Sequence, residues 1–200
     1  SVVIVEADTA GFTRTPMHGK MMWRASDTAE LYFDNCRVPK DNLLGKIGEG
    51  SKIMLSTLDN GRLSIGAIGL GLAQGAFEQA AKYSKQRKQF GKYISDFQAV
   101  SFSIADMATK VELGRNLLYK ACRMKDEGLP FQREAAMAKL YCSEIAKEVA
   151  DKSVQIHGGY GLMKDYPAER FYRDQRILQI GEGTSEIQRL VIARKVLSKF

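Results

Sequence analysis

The sequence feature that most constrains the fold is a regular run of small and apolar residues between about Ser95 and Asp126. These residues recur alternately three and four positions apart, which places them on one side of a helix, as in an antiparallel helical bundle. Ser95 and Gln98 have the spacing of a capping box at the predicted start, and Gly128 follows the predicted end. The run consists of Phe97, Val100, Ile104, Met107, Val111, Gly114, Leu118 and Ala121.

Four further helices are predicted, over about residues 51–83, 131–157, 167–173 and 185–198. Gly158 is the expected C-cap of the second, whose inner stripe is Ala138, Cys142, Ile145 and Val149. Each glycine in the first should cost up to about 1 kcal/mol relative to alanine. We therefore expect another backbone or a ligand to approach that helix closely at Gly66, Gly69, Gly71 and Gly75.

Residues 1–45 have the pattern of β structure, and residues 46–200 that of the helical domain. "VVIVEAD" predicts a strand, "DTAGFTR" a turn, and "TAELYFDNCRVP" a second strand that ends at Pro39. The glycine-rich segment "GKIGEG" links the two domains. The first strand has no partner before it, so we expect the chain to be a piece of a longer fold.

Composition narrows the function only slightly. Thirty Lys and Arg against 23 Asp and Glu give a net charge of +7, which suits anionic cofactors, phosphates or nucleic acid but is also common in ordinary soluble proteins. No apolar run is long enough to predict a membrane span. His18 and His157 lie far apart, and no metal site is predicted. The cysteines, which indicate a reducing compartment and buried thiols, are Cys36, Cys122 and Cys142.

Glu182 stands between two glycines in "QIGEGTSEIQR". Its simplest interpretation is an acid placed before a helix, where the helix dipole favours negative charge. Ser185 and Gln188 form a predicted capping box, so the helix start does not require Glu182. The flanking glycines would let a ligand lie against the backbone, which favours a carboxylate placed to remove a proton.

Three other stretches leave two interpretations open. Asp59 and Arg62 are either a surface pair or an acid–base pair at a pocket wall. Residues 82–92 interleave basic and aromatic side chains. They either bind phosphates and stack on a planar base, or form a solvated helix end whose lysines favour the helix dipole. "QIHGGYG" at 155–161 is either a glycine C-cap or a place where backbone meets a ligand, but it is not a dinucleotide-binding loop.

Taken in order, these motifs resemble the acyl-CoA dehydrogenase family. The matching segments are "WRASDTAELYF", "LDNGR", "RKQFGK", "FQA", "QIHGGYG" and "EGTSEIQRLVIAR". The resemblance covers the whole chain but only the C-terminal half of a family member. It implies a mainly α fold, with an up-down helical bundle over 46–200 preceded by the last strands of a middle β-barrel domain over 1–45.

The resemblance implies a flavoenzyme that uses FAD to oxidise an acyl-CoA thioester to the trans-2-enoyl-CoA. The base that removes the α-proton would be Glu182, because the alternative family position on the glycine-rich helix is Gly61 here. Electrons would pass to an electron-transfer flavoprotein. The enzyme would be a homotetramer, located in the cytoplasm of a prokaryote or in the mitochondrial matrix of a eukaryote.

The resemblance also assigns roles to single residues. Substrate contacts are expected at Asp59, Arg62, Gly183 and Arg194. A segment that reaches the FAD of a neighbouring subunit contains Arg87, Gln89 and Phe90. Other positions around the ADP half of FAD are Gln98, Gln155, Gly158 and Gly159. The flavin contacts that follow the base are Thr184 and Glu186.

Gly181 departs from many straight-chain members, which carry a tyrosine before the base. A wider pocket that tolerates branched acyl chains is the expected consequence. Three other hypotheses stay open: an acyl-CoA oxidase, a non-catalytic helical oligomerisation module, and a nucleic-acid binder that uses residues 82–92.

Overall fold

The computed structural model describes residues 1–198 and residue 200. The chain forms two compact units, Ser1–Leu58 and Asp59–Phe200. The sequence placed the domain boundary at 45/46, and that assignment of domains stays a prediction. No helix among the described residues is long and apolar enough to cross a membrane.

The first unit contains two small antiparallel pairs of strands. Strand β1 (Val2–Val3) pairs with β4 (Leu43–Leu44), so the partner of the first strand follows it in the chain. Strand β2 (Phe12–Pro16) pairs with β3 (Ala29–Phe33), and the rings of Phe12 and Phe33 stack with centroids 5.0 Å apart. The predicted turn "DTAGFTR" therefore runs into a strand, because the turn ends at Gly11 and the next residues pair with β3.

Five α-helices follow, as the sequence predicted. They are α1 (Gly50–Gln86), α2 (Gln98–Asp126), α3 (Gln132–His157), α4 (Ala168–Asp174) and α5 (Ser185–Leu197). A short hairpin, β5 (Lys88–Gln89) with β6 (Lys92–Tyr93), separates α1 from α2. The segment 82–92 is therefore a helix end followed by a hairpin.

The predicted capping box at the start of α2 is wrong. Residues Ile94–Asp96 form a 3-10 turn, so the α-helix begins at Gln98 with Phe97 as its N-cap and no side-chain cap bond. The hydroxyl of Ser95 lies instead 3.4 Å from the carboxylate of Asp96.

The core of the second unit lies where α2 and α3 pack together. Both predicted stripes are confirmed: the buried residues of α2 are Met107, Val111, Gly114, Leu118 and Ala121, and those of α3 include Ala138, Cys142, Ile145 and Val149. Burial raises the pKa of the Cys142 thiol to about 12. Gly158 caps α3 at φ +59°, as predicted.

Close approach of another backbone is confirmed at two of the four α1 glycines named in the prediction, Gly66 and Gly69, while Gly75 meets an aromatic ring instead. A Cβ at Gly69 would lie 2.8 Å from the carbonyl oxygen of Cys142, so the backbones of α1 and α3 touch there. Gly66 faces the α3 backbone at Lys139, and Gly75 faces the ring of Phe171. The prediction of close approach is wrong at Gly71, because a Cβ there would meet nothing within 4 Å.

Candidate active site

Glu182 and Gly183 form a left-handed turn immediately before α5. Their φ angles are +54° and +90°. The left-handed region is natural for glycine but costs a residue with a side chain about 1–2 kcal/mol. A glutamate persists there only when its surroundings hold the turn.

Two buried side chains hold this turn by its carbonyl groups. The Gln188 amide donates to the carbonyl oxygens of Glu182 at 3.1 Å and of Gly183 at 3.0 Å. The Lys139 ammonium reaches across from α3 and donates to the same Gly183 carbonyl at 2.7 Å. Helices α3 and α5 therefore anchor the turn from two directions.

The cap of α5 differs from the predicted one. Thr184 is the N-cap, and its hydroxyl accepts from the N–H of Ile187 at 3.4 Å. The capping box between Ser185 and Gln188 is wrong, because the Gln188 amide is turned towards the carbonyls of the preceding turn. The Ser185 hydroxyl is buried and has no hydrogen-bond partner among the described residues.

The carboxylate of Glu182 lies against α1 at Gly61. A Cβ built on Gly61 would be 2.8 Å from the carboxyl carbon of Glu182, closer than real side chains approach. Glycine at this position therefore leaves the room in which the carboxylate sits. The Glu182 side chain is otherwise exposed within this chain.

Asp59 and Arg62, which stand on either side of Gly61 in the sequence of α1, form a largely buried ion pair. Their atoms Oδ1 and Nη1 are 2.5 Å apart, and the Arg62 side chain is only 8% exposed. Arg62 Nε is buried and lacks a partner in the described part of the chain. The interpretation of this pair as a surface contact is therefore wrong, and a guanidinium N–H remains for another acceptor.

Two ionisable groups near the turn, Lys139 and Glu186, have pKa values below their ordinary ones. The pKa of Lys139 is lowered to about 8, mainly by burial and secondly by Arg62, against the opposing effect of Glu182 and Glu186. The pKa of Glu186 is lowered by hydrogen bonds from its own backbone N–H and from the Thr184 hydroxyl. Lys139 thus contacts the turn that carries Glu182, and Arg62 directly follows Gly61, which the Glu182 carboxylate contacts.

A separate groove of about 530 Å³ lies where the hairpin meets the C-terminal end of α3. The Arg87 guanidinium stands 5.8 Å from the centre of the Tyr160 ring at its edge. His157 and Tyr83 also line this groove, and their rings stack with centroids 4.4 Å apart. The Nδ1 atom of His157 lies 2.7 Å from the Ser153 carbonyl oxygen. The predicted residues that line this groove are Arg87, Gln89, Gly158 and Gly159.

A neighbouring groove of about 460 Å³ shares Gln89 and is lined by Phe90 and Gln155. Phe90 is 90% exposed at φ +52°, on the tip of the hairpin. The hairpin lysines are engaged with rings: Lys88 lies 4.6 Å from the centre of Tyr93, and Lys92 lies 4.3 Å from that of Phe97.

The structure thus gathers most of the predicted site residues into two groups. The first, around the turn, contains Asp59, Arg62, Glu182, Gly183, Thr184 and Glu186. The second, around the grooves, contains Arg87, Gln89, Phe90, Gln155, Gly158 and Gly159. Two residues line neither group: Arg194 is exposed farther along α5, and Gln98 is exposed in the first turn of α2, between the groove-lining residues Phe97 and Ala99.

The sequence did not single out Lys139. It directly follows Ala138 on the predicted inner stripe of α3, and a lysine at the edge of an apolar stripe was the available signal. The hydrogen bonds from Gln188 to the turn carbonyls were also not predicted, because Gln188 fits the pattern of a capping box with Ser185.

Comparisons with known proteins agree on one family. A family model described as the C-terminal domain of acyl-CoA dehydrogenase matches residues 48–197. The chain is 51% identical over 197 residues to the probable acyl-CoA dehydrogenase YngJ of Bacillus subtilis, covering 98% of this chain and 52% of that protein. It is 50% identical to an acryloyl-CoA reductase (NADH) of Anaerotignum propionicum, covering all of this chain and 50% of that protein.

The fold also matches that of a solved relative. The structure of butyryl-CoA dehydrogenase from Megasphaera elsdenii superposes with a TM-score of 0.95 at 46% identity, over 98% of this chain and 51% of that one. The chain therefore spans about half the length of the relatives it matches.

Proposed function

The chain belongs to the acyl-CoA dehydrogenase family, and on that premise we propose that the protein oxidises an acyl-CoA thioester to the trans-2-enoyl-CoA. Glu182 is the proposed base. The proposal rests on the position of the Glu182 carboxylate. It lies in the space left by Gly61, on a left-handed turn whose carbonyl groups are hydrogen-bonded by the protein.

In this reaction Glu182 accepts the α-proton of the thioester. The electron pair of the broken C–H bond forms the Cα–Cβ double bond as the β-hydrogen leaves with its own pair. FAD, when bound, supplies the acceptor for that hydride. Lys139 holds the turn that carries this carboxylate through its hydrogen bond to the Gly183 carbonyl.

The turn also offers a donor for the thioester carbonyl. In the described part of the chain, the backbone N–H of Glu182 donates to no protein group. A free N–H beside the base is suited to stabilise the negative charge that develops on the thioester oxygen when the α-proton leaves. Gly183, with no side chain, leaves that approach open.

The groove residues fit a dinucleotide such as FAD. Arg87 can pair with a diphosphate, Gln89 and Gln155 can hydrogen-bond, and the exposed faces of Phe90 and Tyr160 can stack on a planar ring. A Cβ at Gly158 or Gly159 would meet nothing within 4 Å, so both leave open space in the groove. We propose that these residues hold the ADP half of FAD, contributed to a neighbouring subunit of a homotetramer, with Gln98 beside them.

The remaining contacts and partners rest on the family alone. Arg194 is proposed to bind the substrate, and Thr184 and Glu186 to contact the flavin. An electron-transfer flavoprotein is the proposed electron acceptor, and the cytoplasm of a prokaryote or the mitochondrial matrix of a eukaryote is the proposed location.

The reverse reaction is a second candidate, favoured by the relative at 50% identity that is named a reductase. The same residues would serve, with Glu182 returning a proton to the α-carbon. Measuring flavin reduction by acyl-CoA against flavin reoxidation by enoyl-CoA separates the two directions. Oxygen consumption separates either from an oxidase.

The test of the proposed function is a visible spectrum of the full-length protein before and after addition of butyryl-CoA. Flavin absorbance should be present and should bleach in wild type, but not in Glu182→Gln. Glu127→Gln, an exposed acid beyond α2, is the matched control and should bleach like wild type. Bleaching in Glu182→Gln at the wild-type rate would exclude Glu182 as the base.

A further inference from the structure

Lys139 is the largest of the fully buried side chains in the described part of the chain, with no exposed surface. It lies on the inner side of α3 beside Ala138 and Cys142, where most of the buried side chains are apolar. Burying a lysine is costly unless its ammonium is hydrogen-bonded, so a lysine at this position calls for a specific reason.

The ammonium has one defined hydrogen-bond acceptor, the carbonyl oxygen of Gly183 at 2.7 Å. The same oxygen accepts from Gln188, which is itself fully buried and also holds the carbonyl of Glu182. Hydrogen bonds from a charged donor are roughly twice as strong as neutral ones. Lys139 therefore contributes the stronger of the two hydrogen bonds to the Gly183 carbonyl.

The turn needs such anchors because its backbone is strained. Glu182 occupies a left-handed conformation that non-glycine residues avoid, and Gly183 continues it. If the Gly183 carbonyl were released, Glu182 could relax to an ordinary conformation. Its carboxylate would then leave the space opposite Gly61.

We propose that Lys139 is a positioning residue: its buried ammonium holds the Gly183 carbonyl and thereby keeps the Glu182 carboxylate at the face of α1. The kinetic part of this inference rests on the proposed function, since it takes Glu182 as the base. The structural part, that Lys139 fixes the turn, does not depend on that function.

The experiment compares three variants of the flavin-loaded full-length enzyme. Lys139→Met keeps most of the stem and removes the donor, Lys139→Gln keeps a shorter donor, and Lys147→Met removes an exposed lysine from the same helix as a control. The first two measurements are the rate of flavin bleaching by saturating butyryl-CoA and backbone amide hydrogen exchange in the peptide that covers residues 180–188, where the N–H groups of Gly181, Ile187 and Gln188 are hydrogen-bonded. Crotonyl-CoA binding, followed by the shift of the flavin spectrum, reports product affinity.

We expect Lys139→Met to speed exchange in the turn and to slow bleaching by about ten- to a hundredfold, the effect of losing a charged hydrogen bond. Crotonyl-CoA affinity should stay within about twofold, because Lys139 touches the turn and not the ligand. Lys139→Gln should retain more of the rate than Lys139→Met. Lys147→Met should match wild type in all three measurements.

Wild-type exchange and bleaching in Lys139→Met would overturn the proposal. So would a loss of rate with unchanged exchange in the turn, which would indicate a packing role only. Failure of the proposed function looks different: bleaching then persists in Glu182→Gln, while exchange in the turn still responds to Lys139→Met.

Discussion

The carboxylate of Glu182 occupies the space that a side chain at Gly61 would fill. The two residues come from distant parts of the chain, one from the long helix α1 and the other from the turn before α5. The identity of residue 61 therefore sets where the carboxylate of residue 182 can lie.

Gly61→Ala should displace the Glu182 carboxylate and slow flavin bleaching by about a hundredfold, the typical cost of a small misplacement of a catalytic group. The Tm should change little, because the displaced group is the mobile end of an exposed side chain. Gly71→Ala, in the same helix but facing open space, is the matched control and should keep the wild-type rate. Equal rates in the two variants would show that residue 61 does not constrain the base.

Asp59→Asn should weaken the buried partner of Arg62 and lower the free energy of unfolding by about 1–3 kcal/mol. The control is Glu112→Gln, which breaks the exposed i,i+3 pair with Arg115 on α2 and should cost less than about 1 kcal/mol. Urea unfolding of both variants checks the difference. Similar losses of unfolding free energy in the two variants would mean that burial of the Asp59–Arg62 pair does not strengthen its contribution to stability.

Gly69→Ala should destabilise the protein by about 1–3 kcal/mol, because the new methyl group would overlap the Cys142 carbonyl and push α1 from α3. Gly71→Ala removes a helical glycine without a clash and should be neutral or stabilising by up to about 1 kcal/mol. The opposite order of the two Tm values would contradict the close contact between these helices.

Gly181→Tyr should raise the preference for straight over branched acyl chains. A Cβ at Gly181 would lie 3.5 Å from the Ile177 carbonyl oxygen, an ordinary contact, so the turn should accept a side chain. The ratio of kcat/KM for butyryl-CoA to that for isobutyryl-CoA, in wild type and variant, measures the effect. An unchanged ratio would remove Gly181 as a determinant of specificity.

Lys139 should make stability rise with pH above about 8. Its folded pKa is about 8 against an ordinary 10.5, so between these values the unfolded chain binds more protons than the folded one. The free energy of unfolding then increases with pH across this window, and the increment is lost as pH falls through about 8. The groups that face Lys139 are Arg62, Glu182 and Glu186. Urea unfolding of wild type and Lys139→Met at several pH values should show a shallower slope in the variant.

The helical bundle could be predicted from the sequence because its signal is repetitive. Met107, Val111 and Leu118 each follow the same spacing, and the burial of one supports the burial of the next. The N-caps of α2 and α5 could not be predicted in this way. A capping box is a pattern of only two residues, which is a weak signal. At α5 the Gln188 amide donates instead to the carbonyl groups of the strained turn.

The candidate site was predictable where its residues carry familiar motifs, as at Glu182 and Arg62. Lys139 lacked such a motif, because its role depends on a carbonyl group that only the folded chain brings to it. The contact between Gly61 and Glu182 likewise joins α1 to the turn before α5. Sequence spacing carries no information about an approach of this kind.

The anchoring of the turn by α3 and α5 has a consequence for how binding energy is used. Because both carbonyls of the turn are already held by the protein, an incoming thioester need not order the loop that carries the carboxylate. Preorganisation of this kind separates affinity from rate. In the proposed reaction, side chains around the acyl chain can then change which substrate is accepted while the Glu182 carboxylate keeps its geometry.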